Sequence, residues 1–85
     1  MKIDLTQPID DLNMKEQEFY YELGAAIRNC RRSKDFSQEY MATKLNITQT
    51  AYSKIEAGKS GCSAYRLRHI LNLLGIDTPI MIGPF

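Results

Sequence analysis

The sequence predicts an all-α domain of four to five helices. An extended N-terminal arm covers residues 1–13, the helical domain 14–75, and a short C-terminal β-strand tail 76–85. Three observations carry this. Apolar residues recur at three- and four-residue steps through most of the chain after residue 13. Cap-type residues Ser37, Thr48 and Ser63 stand directly before periodic segments, and Asn46, Gly58 and Gly75 stand where those segments must end.

Residues 1–12 carry Pro8 and Asp10-Asp11 with little periodicity, which reads as an arm, and Asn13 with Glu16 resembles a capping box. From Met14 to about Ser33, Phe19, Leu23, Ala26, Ile27 and Cys30 give an amphipathic helix with those residues inward. Lys34-Asp35-Phe36 is the linker that follows. After Ser37, Met41, Ala42 and Leu45 form an inward stripe, and Asn46 takes the left-handed conformation of a reversal. Thr48 caps the next helix, with Ala51 and Ile55 inward. Lys59 to Cys62 form a loop, and the last helix buries Leu67, Ile70, Leu71 and Leu74. The pair of short helices around Asn46 is a helix-turn-helix, a unit whose second helix enters the major groove of DNA.

The tail sets Ile80-Met81-Ile82 between Pro79 and Pro84, a short strand with no ladder elsewhere in the chain. It either pairs with the same tail of a second copy across a two-fold axis, making these three residues dimerisation contacts, or packs back on the last helix.

With 85 residues, 44% hydrophobic and 25% charged, the chain can bury one modest core. It has no apolar run near the ~20 residues of a membrane span, and no signal-like N-terminus, so a cytoplasmic location is expected. Cys30 and Cys62 lack metal-ligand spacing and His69 has no second ligand nearby, so no metal and no cofactor are expected. The thiols are read as reduced, with a disulfide the alternative. No nucleophile–base pairing, carboxylate pair or phosphate-binding glycine loop indicates an enzyme, and no catalytic residues are assigned.

The net charge of +1 hides an asymmetry. Residues 1–22 set two lysines against six acids, a net −4, whereas residues 23–75 set nine basic groups against three acids, a net +6. One basic face for phosphates and an acidic end directed elsewhere fit that division.

Residues 23–75 resemble the DNA-binding domain of the lambda repressor/Cro family of helix-turn-helix regulators, also called the xenobiotic-response-element family. The resemblance rests on Leu23-Gly24, Ile27-Arg28, Arg31, Ser37-Gln38-Glu39, Ile47-Thr48-Gln49, Tyr52-Ser53-Lys54-Ile55-Glu56 and Gly58-Lys59, with Leu67, Ile70 and Leu74-Gly75 at the family's spacing. Asn46 replaces the usual turn glycine, Cys62 stands where proline is common, and the family's fifth helix has no counterpart. The resemblance makes Gln49, Thr50, Ser53 and Lys54 base-contacting residues: Gln pairs with adenine, the Thr methyl touches thymine and Lys reaches guanine acceptors. It makes Gln38, Lys44, Lys59 and Ser60 phosphate contacts, with Gln38 also bracing the recognition helix, gives Tyr52 a ring that completes the core and a hydroxyl on a phosphate, and makes Arg31 with Glu56 a partly buried ion pair. Arg66 and Arg68 are solvated or lie at a dimer surface. The function implied is a transcriptional regulator, a repressor acting as a homodimer on double-stranded DNA at a palindromic operator. The alternative is an antitoxin that neutralises a toxin protein and autoregulates its operon.

Overall fold

The computed structural model describes residues 14–76, and the expected N-terminal arm and the expected tail strand of Ile80, Met81 and Ile82 lie outside them. Four helices follow one another: α1 Met14–Ser33, α2 Gln38–Leu45, α3 Gln49–Glu56 and α4 Ala64–Leu73. No strand is present among the described residues. Helices of eight residues are marginal alone in water, so packing and end chemistry hold α2 and α3.

That end chemistry is uniform. Ser37, Thr48 and Ser63 sit in extended backbone, and each hydroxyl accepts a hydrogen bond from the N–H three residues on, at 2.9, 3.0 and 3.1 Å. Every helix then ends on a left-handed residue: Asp35 (φ 59°), Asn46 (58°), Gly58 (72°) and Gly75 (71°). The next N–H closes back on the carbonyl five residues earlier, Phe36 on Arg31, Ile47 on Ala42, Lys59 on Lys54 and Ile76 on Leu71, at 2.9–3.2 Å. This is the Schellman closure, which pairs carbonyls that a helix end leaves free. Phe36, Ile47 and Ile76 also pack on the core from the position after the left-handed residue. Lys59, in the same position after α3, is exposed.

The core gathers Ile27 of α1, Met41, Ala42 and Leu45 of α2, Tyr52 and Ile55 of α3, and Leu67, Ile70, Leu71 and Leu74 of α4 with its end. Each such aliphatic side chain contributes about 1.5–3 kcal/mol by leaving water. Cys62 lies in the loop as expected, yet its side chain is buried in this cluster, and burial pushes its thiol up to about 11 despite nearby Arg66.

Two expected stripes are corrected. Phe19 and Ala26 are exposed, whereas Ile27 is buried and Leu23 and Cys30 pack partly buried against the core as expected, and α1 also buries Tyr20, Gly24 and Arg31. Gly24 dictates that register, because a Cβ there would sit 2.4 Å from the Glu56 carbonyl oxygen and 2.5 Å from that of Ile55. Ala51 is exposed as well, since α3 packs against α1 and α2 through the narrow stripe of Tyr52, Ile55 and Glu56.

Candidate nucleic-acid interface

A helix that buries one narrow stripe presents the rest of its surface, and α3 presents polar groups. Gln49, Thr50 and Lys54 are exposed and Ser53 half-buried, with the small Ala51 and Ala57 beside them. The Ser53 hydroxyl donates to the Thr50 carbonyl at 3.0 Å, which leaves its oxygen lone pairs outward as acceptors. Side chains of this length near the start of a helix can reach base edges in the major groove.

The helix is held by a buried polar cluster at its far end. The Arg31 guanidinium grips Glu56 in a two-pronged pair, Nε to Oε2 at 2.6 Å and Nη2 to Oε1 at 3.1 Å. Nη1 donates to the Phe36 carbonyl at 2.7 Å, and Gln38 Nε2 donates to Glu56 Oε1 at 3.2 Å. One carboxylate on α3 thus ties together α1 and the first turn of α2, while Arg31 fastens the intervening linker. The forked geometry fixes direction as well as distance. Burial disfavours the Glu56 carboxylate, but hydrogen bonds, led by Arg31, outweigh it and hold the carboxyl below its ordinary value. The Glu56 hydrogen bond likewise raises Arg31 against its own desolvation.

Tyr52 requires a correction. Its side chain is wholly buried, and its hydroxyl lies against Arg31 and Glu56, removed from solvent and without a hydrogen bond of good geometry. Burial first, and the neighbouring carboxylate second, keep that phenol protonated far above its ordinary range. A hydroxyl so enclosed offers nothing to a phosphate.

The remaining residues expected at phosphates lie on α2 and in the loop after α3. Gln38 is half-buried and keeps a second amide N–H beyond the one given to Glu56. Lys44 is exposed in the last turn of α2, its ammonium 5.6 Å from the centroid of the Tyr40 ring. Tyr40 in turn stacks on Phe36 with centroids 4.5 Å apart. Lys59 is exposed beside half-buried Ser60, immediately after Gly58, where a Cβ would lie 2.5 Å from the Tyr21 Cα. Periodicity missed the Phe36–Tyr40–Lys44 ladder, whereas the Gln38–Glu56 bond is the bracing of α3 that the family resemblance implied for Gln38. The spacing of Tyr40 and Lys44, one helical turn, was the available signal for the ladder.

Among the described residues no helix is long and apolar enough to cross a membrane, and no group of three His, Cys, Asp or Glu side chains is placed to hold a metal.

Two capped helices joined at a left-handed turn, the second braced from behind and polar in front, define a helix-turn-helix domain. The Helix-turn-helix family model matches residues 27–80, and the chain belongs to this family, in its lambda repressor/Cro form. It is similar to YonR of Bacillus subtilis (strain 168), a SPbeta prophage-derived uncharacterized HTH-type transcriptional regulator, with 37% identity over 59 residues. That match covers 69% of this chain and 55% of YonR, so the chain spans about half the length of its relative.

Proposed function

We propose that the protein is a sequence-specific DNA-binding transcriptional regulator, a repressor acting as a homodimer on a palindromic operator. The observation that carries this is the division of α3: Tyr52, Ile55 and Glu56 lock it in place while Gln49, Thr50 and Lys54 stand clear of the protein, with Ser53 at their edge. Gln49, Thr50, Ser53 and Lys54 read bases. Gln38, Lys44, Lys59 and Ser60 meet phosphates on either side. Lys59 supports this directly, because the other three helix closures put an apolar residue where it puts an exposed cation.

Selection of bound duplexes from a random pool tests the reading. One enriched inverted repeat, with half-sites about one helical turn apart, is the expected result. Enrichment of no sequence would reduce the protein to a non-specific binder, and a single asymmetric site would remove the two-fold dimer. The antitoxin reading draws on the exposed Phe19 and Tyr21 beside Glu18 and Glu22, a surface fitted to a protein rather than to DNA. A toxin encoded next to this chain and co-purifying with it would establish that role.

A further inference from the structure

We propose that Tyr40 is a positioning residue for DNA binding, its ring holding the Lys44 ammonium ready for a phosphate without neutralising it. The proposal rests on the reading of Lys44 as a phosphate contact, and adds the group that prepares that contact. A lysine ammonium rides on a flexible four-carbon stem, so an unsupported one must be ordered when it meets a phosphate. Lys44 has support. Its ammonium stands 5.6 Å from the centroid of the Tyr40 ring, within the ~6 Å over which a ring face attracts a cation.

The ring is itself held in place. The Tyr40 side is 38% exposed, its N–H donates to the Ser37 hydroxyl at 2.9 Å, and its ring centroid lies 4.5 Å from that of Phe36. Phe36 packs against the core, and both of its backbone groups bond to Arg31. Its N–H donates to the Arg31 carbonyl at 3.2 Å, and its carbonyl accepts from Arg31 Nη1 at 2.7 Å. The platform beside Lys44 therefore starts from the same arginine that braces α3 through Glu56. A carboxylate could also order Lys44, but it would offset the charge that a phosphate needs. Among the described residues no carboxylate pairs with Lys44. A ring face attracts the cation while leaving its three N–H donors for an oxygen acceptor.

Titration of a scrambled duplex across a range of salt concentrations tests the proposal, because phosphate contacts carry no sequence information. Tyr40→Leu keeps an apolar side chain against Phe36 but removes the ring. It should weaken binding about two- to five-fold, the equivalent of an exposed cation–π contact, with the salt slope unchanged because the ammonium remains. Tyr40→Phe should bind as the wild type does. In a Lys44→Ala background, which itself lowers the slope, Tyr40→Leu should cost nothing further. Equal losses with and without Lys44 would show a role confined to holding α2, and would overturn the proposal. A DNA-free measurement separates this from the DNA reading: the ring should shift the Lys44 ε-methylene protons upfield in the free protein, and Tyr40→Leu should abolish the shift. No such shift in the wild type overturns the positioning role and leaves the DNA reading intact. A wild type that shows the shift but binds no duplex removes the DNA reading, and the proposal with it.

Discussion

Tyr52 shows how burial decides what a residue can do. Its ring fills the core, and its hydroxyl is enclosed beside Arg31 and Glu56 without a well-formed hydrogen bond. Removing a buried, poorly satisfied hydroxyl costs little, so Tyr52→Phe should leave stability unchanged or raise it by about 1 kcal/mol. DNA affinity should not change. A loss of stability in thermal melts would reveal a real bond from that hydroxyl to Glu56. Arg31 and Glu56 behave in the opposite way. Truncating either leaves its partner's charge buried, an effect of about 3–5 kcal/mol, well above the ~1 kcal/mol of a surface pair. A double-mutant cycle should return strong coupling, and additive losses would make the two residues independent. The pair also sets an acid limit. Because the Glu56 carboxyl titrates below its ordinary value of 4.5 in the folded protein, its stabilisation is complete above that value. It is lost as pH falls through the lowered pKa. Glu56→Gln should be less stable at neutral pH and lose less on acidification, measured by denaturant midpoints across the acid range.

At the scale of elements, close approach between helices governs the fold. Gly24 lets α1 lie directly on the last turn of α3, with carbonyl oxygens where a side chain would begin. Gly24→Ala gains about 0.5–1 kcal/mol of helix propensity but must push backbone apart, at about 1–3 kcal/mol or more. The clash should prevail, and a variant more stable than wild type would show that α1 can slide. The recognition helix and its rim should respond differently to truncation. Gln49→Ala and Lys54→Ala should relax sequence preference at a cost of about 1–3 kcal/mol each on the selected site. Lys44→Ala and Lys59→Ala should weaken binding equally on all sequences and reduce the salt slope by about one counterion each. Discrimination retained in the first pair, or an unchanged slope in the second, would reassign those residues.

For the molecule as a whole, the homodimer proposed above would set one recognition helix on each half of a symmetric operator, so assembly would determine affinity. We propose that the tail from Thr78 to Phe85, outside the described residues, holds a two-fold dimer by pairing with its symmetry mate. Deleting 78–85 should give a folded, largely monomeric chain with much weaker operator binding. An intact dimer in sedimentation would transfer the interface to the helices or the arm. The sequence alone determined the helix ends: the hydroxyls of Ser37, Thr48 and Ser63, and the left-handed places of Asn46, Gly58 and Gly75, act within a few residues. It determined the buried stripes of α2 and α4 for the same reason, because apolar spacing on a short helix states its inward face. The register of α1 was decided by tertiary structure. Its inward face carries a glycine and an arginine, which apolar periodicity cannot mark, and both earn that place through groups on α3. Tertiary structure likewise withdrew Tyr52 from the phosphates and brought Ala51 to the surface, because exposure depends on which helices arrive alongside.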